Sequence, residues 1–137
     1  MSQQIKFRAI DQFSDDFVYG QGFFVDSDNE QGYITNGVER HHCVKKDTIN
    51  QFTMLNDVEN VEIFQNDIVE FTYLNEYKVV GIVNLNKFGH SEVQAVKVTK
   101  SGIDSRMDFK NGLSFHIENA TKGKVIGNVY HNFELIS

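Results

Sequence analysis

The feature that most constrains this chain is how it must turn. It contains no proline, so each reversal of direction falls to glycine, asparagine and aspartate. Glycine adopts positive φ freely and asparagine tolerates it. Two Asn-Gly pairs, Asn36-Gly37 and Asn111-Gly112, supply both central residues of the mirror-image turn that joins antiparallel strands. The first is expected to fold Tyr33-Ile34-Thr35 back along Val38-Glu39-Arg40. The second is expected to fold Met107-Asp108-Phe109 back along Leu113 to Ile117.

Elsewhere apolar residues recur with a period near two. Ile5, Phe7 and Ala9 alternate with Lys6 and Arg8, and a second apolar run extends from Phe17 to Val25. Val69, Phe71 and Tyr73 share one strand face, as do Tyr77, Val79, Gly81 and Val83, with a tight hairpin expected at Asn75-Glu76. Val93 to Val98 and Val125 to Tyr130 complete the set, separated by loops that include Glu118 to Gly123. Short strands at this spacing predict a mainly β chain, a small antiparallel barrel or sandwich. Its 137 residues suffice for one sizeable core. The charged stretch Lys45-Lys46-Asp47 is the expected boundary between an N-terminal β-rich lobe, residues 1–47, and a β body, residues 48–137, acting as one cooperative unit.

Net charge is −6, unevenly spread along the sequence: residues 1–70 carry 13 acidic and 5 basic side chains, and residues 71–137 carry 6 and 8. Such a divide suits a polar partner or head-to-tail contact between copies, though ordinary solvated surface is the simpler account. General nucleic-acid binding is not favoured, because it needs a concentrated Lys/Arg surface. No basic leader precedes an apolar stretch, no run is long enough to cross a bilayer, and Cys43 is the single cysteine. A cytoplasmic protein with no membrane association is the expectation.

The densest metal-type cluster is His41-His42-Cys43. Neighbours on a strand point to opposite faces, so at most His41 and Cys43 can share a ligand, and a small metalloprotein is the least favoured reading. The same arithmetic makes Cys43 a structural cysteine before a catalytic thiol. Asp15-Asp16 and Asp26/Asp28 read as solvated loops. Gly20-Gln21-Gly22 lacks the third glycine of a dinucleotide loop. No cofactor and no catalytic residue are expected. The aromatics Tyr73, Tyr77, Phe88, Phe109, Phe115 and Tyr130 are more suggestive, since small barrels stack single-stranded bases on such rings. At alternate spacing they are core residues first. Tyr73, Tyr77 and Phe88 are therefore the candidate partner surface.

Three collinear segments resemble the YopX family of bacteriophage and prophage proteins. Ile5-Lys6-Phe7-Arg8-Ala9-Ile10-Asp11 is similar to the family's opening I-K-F-R-A-W-D. Gln51-Phe52-Thr53-Met54-Leu55-Asn56-Asp57 and Glu62-Ile63-Phe64-Gln65-Asn66-Asp67-Ile68-Val69 resemble Q-[FY]-T-G-L-x-D and E-I-[YF]-E-G-D-I-V. Val125 to Ile136 resembles V-I-G-N-I-Y-E-N-P-E-L-L. Met54 and Asn66 stand where the family pattern has glycine, and Phe133 where it has proline. Asn66 can still hold a left-handed turn. The resemblance implies an intracellular viral or prophage protein with a β-rich, SH3-like barrel body. It implies no reaction. Asp67, Gly127, Asn128 and Tyr130 read as a structural motif, with Asp67 bonding the turn backbone and Gly127 permitting close strand approach. The expected role is a non-enzymatic module that binds a host or phage macromolecule, with a homo-oligomer as one form. A single-stranded nucleic-acid barrel is the alternative.

Overall fold

The computed structural model of the chain describes residues 5–36, 41–85, 89–100 and 113–137. Its strands form antiparallel sheets, and no closed barrel is found among the described residues. The chain divides into two compact units, Met1–Met54 and Leu55–Ser137.

In the first unit the strands are β1 (Phe7–Ile10), β2 (Phe17–Gly20), β3 (Gly22–Val25), β4 (Gly32–Thr35), β5 (His41–Val44) and all but the last two residues of β6 (Asn50–Asn56). β1 lies between β2 and β6, while β3, β4 and β5 form a separate sheet. Ala9, Ile34 and Val44 make the core, with Phe7, Val18 and Ile49 packed against it. The apolar run from Phe17 to Val25 is not one strand. It breaks at Gln21, so β2 pairs with β1 and β3 pairs with β4. A β-carbon on Gly20 would stand 2.5 Å from the Thr35 carbonyl, and the bend depends on its absence.

The Asn36-Gly37 hairpin also differs from expectation. Thr35 pairs with His41 and Tyr33 with Cys43, so the partner of β4 is His41–Val44 and not Val38 to Arg40. Residues 37–40 lie outside the described residues, as do Asn111-Gly112 and Met107 to Phe109. The division of the chain falls later than Lys45-Lys46-Asp47. Thr48 Oγ1 accepts the Ile10 amide at 2.8 Å, and Asn50 and Gln51 pair with β1, which ties residues 48–51 to the first unit. With the division at Met54, the first unit carries 8 acidic and 5 basic side chains and the second 11 and 8, or −3 each. The charge divide along the sequence is thus not a divide between units.

The second unit contains β7 (Glu62–Phe64), β8 (Asp67–Tyr73), β9 (Tyr77–Leu85), β10 (Ser91–Lys100), β11 (Ser114–His116) and β12 (Lys124–Asn128). The segment Glu118 to Gly123, expected as a loop, holds a one-turn helix, α1 (Glu118–Thr121). Five strands form one sheet in the order β11-β10-β9-β8-β12. The meander β8 to β11 follows from the alternation: Val69, Phe71, Val79, Val83 and Val93 are all at most 3% exposed on its core face. Ile63, Val98, Ile117 and Ala120 complete that core. Each large side chain so buried contributes roughly 1.5–3 kcal/mol. Register shifts between Ala95 and Lys97 and between Val125 and Gly127 mark two bulges.

Candidate functional site

The β8–β9 hairpin positions the aromatic residues. The Glu76 amide donates to the Tyr73 carbonyl at 3.2 Å, closing a turn whose central residues, Leu74 and Asn75, have φ of 55° and 56°. This tight reversal sets Tyr73 directly opposite Tyr77, at the end of the meander. β11 pairs Phe115 with Val93 of β10, itself opposite Val83 of β9, and the Phe115 side chain extends to Tyr73 and Phe71. The Phe115 ring meets Tyr73 edge-on, with centroids 4.9 Å apart at 69°, and Phe71 at 5.3 Å and 78°. Tyr73, Tyr77, Val79, Val98, Leu113 and Phe115 line a hollow of about 290 Å³. Its floor is the buried Val79 and Val98, and Tyr73 is 37% exposed at its rim.

Rim electrostatics are nearly self-compensated. Lys100 Nζ lies 3.0 Å from Glu76 Oε1 and 5.5 Å from the Tyr77 ring centroid. The Glu76 carboxylate holds the Lys100 ammonium above its ordinary pKa of 10.5. Tyr77 also borders a second groove of about 610 Å³, lined by Glu59, Glu70, Thr72, Lys78, Lys122 and Lys124 among others. Lys78 Nζ is 3.4 Å from Glu70 there. Of the candidate partner-surface residues, Tyr73 and Tyr77 therefore converge, and Phe88 lies outside the described residues.

The motif residues of the sequence meet at a different corner. Asn128 pairs with Asp67, and Gly127 with Ile68, in the β8–β12 register. Asp67 is buried, and its Oδ2 accepts the Phe64 amide at 2.8 Å. Asn66, at φ 67°, holds the left-handed turn before β8 and donates from Nδ2 to the Tyr130 hydroxyl at 3.0 Å. Asn128 Oδ1 accepts the amides of Tyr130 and His131, each at 3.0 Å. Gly127 does not serve strand approach as expected: the atoms nearest to a β-carbon there belong to the Asn132 side chain. The corner is a web of backbone-satisfying bonds.

Sequence reasoning missed three features. Asp57, within a quoted motif, is buried and accepts three backbone amides. Phe24 stacks on Tyr33 at 4.7 Å across β3 and β4, with His41 edge-on at 5.3 Å. His42 projects from the opposite face of β5 and bonds Asp11 Oδ2, which together with the Phe13 amide holds the Asp11 carboxyl below its ordinary range. The His41-His42-Cys43 cluster is thus split between two surroundings, and no group of three or more potential metal ligands occurs among the described residues.

The family model described as YopX protein matches residues 6–137. No curated protein matches the chain. Among solved structures it is similar to the "Crystal structure of protein EF1440 from Enterococcus faecalis", at 19% identity and a TM-score of 0.50, over 97% of this chain and 98% of that one. That likeness concerns the fold alone. No helix among the described residues is long and apolar enough to cross a membrane.

Proposed function

Since the chain belongs to the YopX family, we propose that it is a phage-type, non-enzymatic binding module that engages another protein in the host cytoplasm through the Tyr73–Tyr77–Phe115 hollow. One observation carries this reading. Three rings and two buried valines converge on a hollow of about 290 Å³, enough for one large apolar side chain. Desolvated aromatic pockets of this kind dominate binding energy at protein interfaces. The rim of the hollow favours protein over nucleic acid as the partner: its Lys100 is held by Glu76, which leaves little attraction at the rings for a phosphate backbone.

The test is site-specific photocrosslinking in host cells. A benzophenone side chain at Tyr73 is expected to trap one discrete protein adduct that the same group at the exposed Phe133 does not. Identical adduct patterns at the two positions overturn the reading. Crosslinks to nucleic acid from Tyr73 turn it to the single-stranded binder instead.

A further inference from the structure

The groove beside the hollow specifies more about the partner, on the premise that the hollow is the binding site. Its charges are unevenly matched. Lys78 is paired with Glu70, and Lys100 at the shared rim with Glu76. Lys122 and Lys124 are exposed and form no ion pair among the described residues. Of the three carboxylates on the groove wall, Glu70 and Glu76 are held by Lys78 and Lys100, which leaves Glu59 against these two lysines. Both lysines are held by short, well-fixed backbone. Lys122 follows α1, its amide bonded to the Asn119 carbonyl at 3.3 Å, and Lys124 opens β12 opposite Glu70. Gly123 between them is buried against β8, where a β-carbon would stand 2.7 Å from Phe71 Cβ, so the pair cannot easily shift away.

We propose that the partner segment carries a large apolar side chain followed by an acidic cluster, the first entering the hollow and the second meeting Lys122 and Lys124. Tyr77 lines both cavities and makes them one continuous surface around the hairpin. Glu70, the register partner of Lys124, is an odd number of residues from Tyr73 on β8 and so faces the opposite way, which makes the segment round the hairpin turn at Asn75 and Glu76, both on the groove wall. A flexible spacer between anchor and acids, such as Gly-Gly, allows that crossing. A nucleic acid suits the groove less well, because Glu59, Glu70 and Glu76 border the path that successive phosphates would follow.

The experiment is a pair of NMR titrations of the full chain, one with acetyl-Phe-Gly-Gly-Glu-Glu-amide and one with acetyl-Phe-Gly-Gly-Lys-Lys-amide. The acidic peptide is expected to bind at least about threefold more tightly at low salt, shifting the Tyr77 and Lys124 amides together. The exposed double variant Lys122→Gln with Lys124→Gln is expected to erase that difference. Equal affinities in the unaltered chain overturn the charge assignment and leave the hollow standing. Absence of any shift at Tyr77 with both peptides removes the hollow and, with it, the proposed function. Tighter binding of oligothymidylate than of the acidic peptide replaces the protein segment with a nucleic acid.

Discussion

The side chain of Asn132 fills the space that a β-carbon at Gly127 would need: that carbon would stand 2.5 Å from Asn132 Oδ1. Asn132 Oδ1 also accepts the Asn128 amide at 3.1 Å. Gly127→Ala is therefore expected to push the amide side chain out and to cost about 1–3 kcal/mol, from crowding and the lost bond. Urea unfolding of Gly127→Ala, Asn132→Ala and the double variant checks this. The double variant should cost clearly less than the sum, because both changes break one contact.

Asp57 braces the second unit through three backbone amides. Its Oδ1 accepts the amides of Glu59 and Val61 and its Oδ2 that of Val125, each at 2.9 Å. Asp57→Ala strands three donors and is expected to cost about 2–4 kcal/mol, lowering the urea midpoint with little change in slope. Asp57→Asn should lose roughly half as much, since one oxygen remains an acceptor.

Two left-handed positions are held by residues that pay a steric penalty there. Met54 has φ 72° and Leu74 φ 55°, and both side chains are exposed. Met54→Gly, and Leu74→Asn combined with Asn75→Gly, are each expected to raise stability by about 0.5–1 kcal/mol. Thermal unfolding would show a rise of a few degrees. A fall at Met54 would mean that its side-chain contacts outweigh the backbone strain.

Acid stability should depend on Asp11. The His42 side chain, and then the Phe13 amide, hold its carboxyl below the ordinary value of 3.8 in the folded chain. A depressed acidic pKa contributes stability that is in place above the unfolded value and is lost as the pH falls through the folded one. The contribution thus disappears below about pH 3.8. Denaturation midpoints measured from pH 6 to pH 2 should fall less steeply at the acid end for Asp11→Asn than for the unaltered chain.

The meander was legible because Val69, Phe71, Val79 and Val83, buried at alternate positions, print their period directly onto the sequence, although Ile68 beside Val69 is buried too. The Tyr73–Tyr77 half of the site came with it, since a tight turn fixes register. β6 was hidden by a polar residue: its buried face carries Asn50 as well as Phe52, which blurs the alternation. The register after Asn36 was not legible: Thr35 pairs with His41, which keeps Ile34 and Val44 in one core. Asp57 joining Val125, and Asp11 joining His42, link residues 68 and 31 positions apart. No local pattern announces such bonds.

The arrangement of β8 and β12 also sets the order in which the second unit assembles. β8, β9 and β10 meet their sequence neighbours, whereas β12 must return from beyond α1 to reach Asp67. Closing that long loop comes after the hairpins on entropic grounds. Variants of Val125 and Gly127 should accordingly speed unfolding far more than they slow folding. A chain without proline also has no isomerisation step to wait for. Stopped-flow refolding should finish without a phase lasting tens of seconds.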